Sequence, residues 1–376
     1  MTFSILQPPR ILFGRGEAGK AAAFARGFGG RGVVVHGANP ARAAGIVQAL
    51  GGDVIALPCG GEPTLAMLEE ATLLARCHTP EWVLAIGGGA VLDLGKALAA
   101  MIPAPGGAMD HLEVVGKGLP LVAAPLPFIA VPTTAGTGAE VTKNAVIGLP
   151  DLGRKVSLRD DRMMAQVAIV DPGLTDGCPW AVTLASGLDA VTQCIEPYVS
   201  VKATAYTDAI SLPAIAPGLR ALMRLQAGED AAARDALAWS SLSGGLALAN
   251  AGLGAVHGFA GVIGGMTGAA HGAICGALLG PVLRMNRDRA AGEMRERLDR
   301  VCGLLAEVLG CEAASAPDAL GAWARGAGLP GLAAQGLDPI HHAKVVEASQ
   351  GASSMKGNPV VLSVADLRAV LEAASG

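Results

Sequence analysis

Charge is scarce in this chain. Only 16% of its 376 residues are Asp, Glu, Lys or Arg, while 51% are hydrophobic, and the formal net charge is -4. So much apolar material excludes a disordered chain and is enough to build large cores. With no basic run and a slightly acidic balance, neither nucleic acid nor an anionic membrane is expected as a partner. The cysteines number seven, an odd count, and contain no CxxC pair. Scattered thiols of this kind exclude a disulfide framework and suit a cytoplasmic protein. The opening residues, MTFSILQPPRILFGRG, lack the basic region and apolar run of a secretory signal. No internal repeat and no low-complexity tail is found. One apolar stretch, 252–283, has the length of a membrane span. Its glycines and two histidines favour a pair of buried core helices instead, so no membrane partner is expected.

Glycine, at 53 residues, is abundant. Such a count suits close helix–strand packing and the approach of backbone to a ligand. From residue 31 to 130 short aliphatic runs alternate with helical stretches. Strands are expected at 32–36, 53–58, 82–87 and 126–133, with helices at 39–50, 62–77 and 90–102. The strands do not alternate apolar with polar residues, as expected when helices cover both faces of a sheet. Strands separated by helices imply right-handed βαβ units and a parallel sheet. Near 178 the texture changes to Ala/Leu-rich helical periodicity that runs to the end, after a turn-rich hinge at 171–179. The expected organisation is an α/β N-terminal domain with a Rossmann-like parallel sheet (1–177) and an all-α C-terminal domain (178–376). A length of 376 residues accommodates both.

Two glycine loops follow strands. In GGGAVLDLGK (87–96), Gly87, Gly88 and Gly89 let backbone approach a ligand, and the helix that follows offers its N-terminal N–H groups to phosphate. In VPTTAGTGAEVT (131–142), Thr133, Thr134 and Thr137 supply hydroxyls. Two such loops at one sheet edge would bracket a dinucleotide; tight strand–helix turns and a solvated loop are the plainer alternatives. Further on, His257 and His271 lie in an almost wholly Gly, Ala and aliphatic segment (254–280), and Asp189 stands alone in an equally apolar run (186–200). Polar rings buried in such surroundings must be paired or bound. An Asp and two His on one cavity would suit a divalent transition metal; core histidines bonded to backbone carbonyls are the other reading.

Taken together, GGGAVLDLGK, DHLEVVGKGLPL (110–121), PTTAGTGAEVT, IVDPGLT (169–175), SGLDAVTQCIEPYVS (186–200), the His257/His271 segment and Asn358-Pro359 resemble, in this order and over nearly the whole chain, the iron-containing (group III) alcohol dehydrogenases. The resemblance implies a dehydroquinate synthase-like architecture, with an NAD(P)-binding α/β domain, an all-helical metal domain and an active site in the cleft between them. It also implies a homo-oligomer, such as a dimer. Carried over by motif, Gly88, Gly89 and Asp93 would meet the cofactor's phosphates and ribose. Thr133, Thr134 and Thr137 would line it, and Lys155 would meet it as well. Asp189, His257 and His271 match three of the family's four metal ligands.

Three positions depart from the family pattern. The fourth ligand, a histidine one turn after the Asp, is here Gln193. It shares the helix face of Asp189, but a carboxamide oxygen is a weaker donor toward Fe²⁺ or Zn²⁺ than imidazole; weakened metal binding, or none, is expected. A histidine that often follows four residues after His257 is here Gly261. A proton relay would then need water, a cofactor ribose hydroxyl or another residue, and no side chain is assigned as catalytic acid or base. Ala90 replaces a serine, a smaller change. Gly37 stands where many NAD-preferring relatives carry an Asp that repels a 2′-phosphate, with Arg42 nearby, so NADP is expected to be tolerated beside NAD. The expected activity is NAD(P)-dependent hydride transfer between a small alcohol and its aldehyde or ketone, assisted by a divalent metal, Fe or Zn. Two alternatives are a metal-independent reductase of an activated carbonyl, like the maleylacetate reductases, and a nucleotide-binding protein without turnover. His341 and His342 are expected to be exposed, His111 to be structural, and the cysteines to be plain buried thiols.

Overall fold

The computed structural model describes residues 2–376. Its chain forms two compact units. The first, Leu6–Thr134 with Ala139–Thr175, is built on a sheet. Its strands are β1 (Arg10–Phe13), β2 (Arg31–Gly37), β3 (Asp53–Cys59), β4 (Trp82–Gly87), β5 (Phe128–Pro132), β6 (Asn144–Leu149), β7 (Arg154–Arg159) and β8 (Val167–Val170). Its helices are α1 (Ala21–Phe28), α2 (Ala41–Leu50), α3 (Leu65–His78) and α4 (Gly89–Met101). Six strands form one sheet in the order β1-β8-β5-β4-β2-β3, and every neighbouring pair is parallel.

The four aliphatic runs read from the sequence are β2 to β5. β2, β4 and β5 carry no alternation because both faces are covered, whereas β3, at the sheet edge, is only partly buried. Val33 and Val35 of β2 pack in one core with α3 and α4. Val34, between them, packs in the opposite core with α1 and α2. The sheet is wider than the four expected strands. At the outer edge, β1 is only four residues of mixed exposure, too short to stand out. The antiparallel hairpin β6–β7 was also not anticipated. It is held to α4 by Lys96, which is fully buried and donates to the carbonyls of Ala139 and Asn144 and to Thr142 Oγ1. Burial pulls the Lys96 pKa down to about 8.

The second unit comprises Ala135–Gly138 and Asp176–Gly376, with the segment ending at Ile5. It contains α5 (Trp180–Val199), α6 (Ala205–Ala227), α7 (Ala231–Ala251), α8 (Ala255–Thr267), α9 (His271–Arg289), α10 (Gly292–Leu309), α11 (Ala316–Gly326), α12 (His342–Gln350) and α13 (Val364–Ala374). Among the described residues no single helix is long and apolar enough to cross a membrane. The central element is α5, buried without interruption from Gly187 to Val199, with α6, α7, α9 and α10 against it. Glycines on its neighbours permit this. A Cβ on Gly244 of α7 would stand 2.9 Å from Gln193 Cβ, and one on Gly276 of α9 would stand 2.8 Å from Leu188 Cδ1. One on Gly272 would strike the Ala185 carbonyl oxygen. Contact this close draws α5 and α9 together where Asp189 and His271 face each other.

Overpacking at such a contact costs about 1–3 kcal/mol. Gly272→Val is therefore expected to lower the melting temperature. Gly261→Ala is the control: nothing lies within 4 Å of an added Cβ there, so stability should hold or rise by up to about 1 kcal/mol. Thermal melts of the two variants beside the parent make the comparison.

Candidate functional site

The cofactor residues expected from the sequence gather at the C-terminal ends of adjacent strands. Gly37 closes β2, Gly87 closes β4, and Thr133 follows β5. The loops after β4 and β5 are joined, since the Thr133 N–H donates to the Gly87 carbonyl at 2.9 Å. A Cβ on Gly88 would come within 3.4 Å of Thr134 Oγ1. Gly88 is also the extended N-cap of α4, and no side chain caps this end. The first N–H groups of α4, at its positive dipole end, are thus not capped by a side chain. Gly37, Gly88, Gly89 and Thr134 all keep some exposure, whereas Thr133 is buried.

Three other expected cofactor residues have commitments of their own. Asp93 Oδ2 accepts the Val146 N–H at 3.0 Å, tying α4 to β6. Lys155, on β7, stands 3.3 Å from Glu62 Oε2. Thr137 belongs to the helical unit, where Gly136 beside it lies against Ser186 of α5.

Asp189, His257 and His271 come together. Asp189 projects from the middle of α5, His257 from the first turn of α8, and His271 is the first residue of α9. Asp189 Oδ1 lies 3.2 Å from His257 Nε2 and 3.8 Å from His271 Nε2. The two rings are 5.3 Å apart and tilted by 51°. A fourth group joins them: Cys275, one turn after His271, puts its Sγ 3.6 Å from His271 Nε2 and 3.9 Å from His257 Nε2. One donor atom from each of the four residues falls within 4.8 Å of all the others. Gln193, one turn after Asp189, is 2% exposed.

Polar satisfaction tests whether this cluster suits a cation. Asp189 Oδ1 and Gln193 Oε1 are both buried with no aligned hydrogen-bond donor. Asp189 Oδ1 has the two imidazoles beside it at 3.2 and 3.8 Å, whereas Gln193 Oε1 has no partner, and buried oxygens on one face of a helix are costly unless something positive meets them. An Asp, two imidazoles and a thiol are also the donor types that bind divalent transition metals. The site therefore fits such an ion.

A further layer holds His257. Glu196, two turns after Asp189, receives His257 Nδ1 at 2.7 Å through Oε2 and the Val256 N–H at 2.7 Å through Oε1. Asn358 Oδ1 accepts the neighbouring Ala255 N–H at 3.0 Å. The N-cap of α8 is Gly254, without a capping side chain, so Glu196 and Asn358 do that work from outside. Glu196 also fixes the tautomer. With Nδ1–H donated to the carboxylate, Nε2 is the atom turned to the cluster. Burial alone would lower the pKa of both histidines. Cys275 and Asp189 outweigh it, with Glu196 adding its share at His257, and raise His257 well above the ordinary value and His271 to about 9. Burial pushes the Asp189 carboxyl up, but His271 and His257 bring it below the usual range.

Glu196 and Cys275 were not singled out from sequence, though each had a signal. Glu196 is an acid seven residues after Asp189 in the same apolar helix, and Cys275 stands at i+4 from His271. His111 is structural, with Nδ1 2.9 Å from the Leu119 carbonyl oxygen. His342, expected to be exposed, is buried: α12 turns it inward, where Nε2 lies 3.4 Å from Ser375 Oγ. Cys194 donates to the Ser240 carbonyl, away from the cluster. Outer-layer carboxylates on a ligating histidine are worth roughly 10–100-fold in metal affinity. Glu196→Gln should lower zinc affinity by about that factor in chelator competition, with the helical circular dichroism unchanged.

A sequence profile described as iron-containing alcohol dehydrogenase matches residues 8–172, and one for the C-terminal region of the same family matches 183–375. Long-chain-alcohol dehydrogenase 1 of Geobacillus thermodenitrificans is 34% identical over 328 residues, covering 83% of this chain and 80% of that protein. Lactaldehyde reductase of Escherichia coli is 34% identical over 301 residues, covering 80% and 76%. A crystal structure of 1,3-propanediol oxidoreductase superposes with a TM-score of 0.88 at 26% identity, covering 100% of both chains. Alcohol dehydrogenase from Oenococcus oeni superposes with a TM-score of 0.87 at 26% identity, covering 99% of this chain and 100% of its own. The chain belongs to the iron-containing alcohol dehydrogenase family.

Proposed function

We propose that this protein is an NAD(P)-dependent oxidoreductase that interconverts a small alcohol and its aldehyde or ketone with the help of one divalent metal ion. The observation that carries this reading is the convergence of Asp189, His257 and His271, the first two buried and the third partly exposed, with both imidazole Nε2 atoms turned to one carboxylate oxygen. Relatives named as alcohol dehydrogenases and a lactaldehyde reductase support it.

In this reading residues 1–177 bind the cofactor and 178–376 hold metal and substrate. The glycine backbone at Gly88 and Gly89 and the start of α4 cradle the pyrophosphate. Thr133, Thr134 and Thr137 line the cofactor, with Asp93 and Lys155 behind them. Gly37 presents no carboxylate toward the ribose, so NADP is admitted beside NAD. Asp189, His257 and His271 hold iron or zinc, and the orphaned Gln193 oxygen is turned to the same helix face. When bound, the cofactor supplies the hydride at its nicotinamide and the metal supplies Lewis acidity toward the substrate oxygen. Glu196 holds His257 in the tautomer that keeps Nε2 available. Gly261 is exposed and brings no proton-transfer group, so the hydroxyl proton travels by water, a cofactor ribose hydroxyl or another residue. Seven free thiols suit the reducing cytoplasm, where we place the protein.

An assay of the purified protein with a panel of short aldehydes and either reduced cofactor tests this. Turnover that is lost on chelation and restored by metal is expected. His271→Ala should lose bound metal and at least 100-fold in kcat/KM. Turnover that survives complete metal removal would favour a metal-independent reductase of an activated carbonyl, and cofactor binding without any turnover would favour a nucleotide binder.

A further inference from the structure

We propose that Cys275 is a ligand of the metal ion, giving this chain a carboxylate–imidazole–imidazole–thiolate site with a preference for zinc. The inference rests on the reading of Asp189, His257 and His271 as metal-holding residues and adds the fourth group. Ligand distances of about 2.0–2.3 Å around a tetrahedral ion place neighbouring donor atoms about 3.3–3.6 Å apart. The four neighbouring separations at this cluster, 3.2 and 3.8 Å from Asp189 Oδ1 and 3.6 and 3.9 Å from Cys275 Sγ, bracket that spacing. The sulfur therefore stands where a fourth ligand would stand.

Its setting points the same way. Cys275 is fully buried, and its Sγ approaches the Nε2 atoms of both histidines. These are the ring atoms opposite the one that Glu196 secures on His257. Asp189 Oδ1, on a residue only 1% exposed, has no aligned hydrogen-bond donor and is approached by His257 Nε2 at 3.2 Å and His271 Nε2 at 3.8 Å, so it too faces the cluster. Helix geometry makes the arrangement possible, since residues i and i+4 share a face and α9 delivers His271 and Cys275 to one point. On binding, the thiol releases its proton to solvent as the sulfur–metal bond forms. Thiolate is a soft donor and the Gln193 amide oxygen a hard, neutral one. Sulfur ligation thus tilts the site toward Zn²⁺ and away from Fe²⁺ or Mn²⁺.

The test uses metal-free full-length protein loaded with Co²⁺ or Zn²⁺. In the parent, cobalt should give the intense near-ultraviolet absorption of a thiolate-to-cobalt transition. X-ray absorption of the zinc form should show one sulfur at about 2.3 Å. The cobalt band should persist in Cys194→Ser and vanish in Cys275→Ser, whose zinc affinity should fall at least tenfold. Should Cys275→Ser fail to fold, the sulfur shell of the unaltered parent together with Cys194→Ser still decides. An ion bound through nitrogen and oxygen alone overturns the role of Cys275 and leaves the metal reading standing. Failure to bind either ion overturns both.

Discussion

A carboxylate in the middle of an apolar helix is the constraint on which the helical unit depends. Asp189 sits in α5, where nearly every surrounding residue is aliphatic, small or another turn of helix. An isolated charge there would cost several kcal/mol. The chain meets that cost by directing two imidazoles at one oxygen, from the first turns of α8 and α9. Those helix starts are in turn fixed by neighbours: Glu196 and Asn358 bind the opening N–H groups of α8, and Gly272 lets α9 press onto α5. The polar cluster and the glycine packing of α9 are thus one arrangement, since His271 starts the helix that Gly272 and Gly276 bring against α5.

The sheet unit solves a different problem with the same residue type. Glycines after β4 clear space at the C-terminal edge and leave the start of α4 uncapped by side chains, which is how a fold presents backbone donors to phosphate. Lys96, buried with three acceptors, and Asp93, bonded to Val146, hold α4 to the β6–β7 hairpin. Two residues of one short motif thus serve to position the loop, whatever the loop binds.

Much of this was legible in the sequence. The aliphatic runs of β2, β4 and β5 stood out because a doubly covered strand has no polar face to interrupt it. Asp189, His257 and His271 stood out because they are polar residues in apolar company. What escaped notice did so for physical reasons. β1 is four residues long at a sheet edge, and β6–β7 is a half-buried hairpin whose alternation is brief. Glu196 and Cys275 act through spacings of seven and four along a helix, and these gain meaning only when another helix brings partners to the same face. Cys275 also resembles the other buried thiols by composition, and only its distance to two imidazoles separates it from them. His342 looked exposed because of its charged neighbours, yet the turn before α12 points it inward.

In the proposed reading Asp189 is buried in order to hold a cation. Anomalous diffraction at the iron and zinc edges, from crystals grown with metal present, tests it most directly. The account predicts one peak per chain, bounded by Asp189, His257 and His271. Crystals that show His257 bonded straight to Asp189, with no peak in a metal-replete medium, would contradict it and make the cluster a plain buried ion pair.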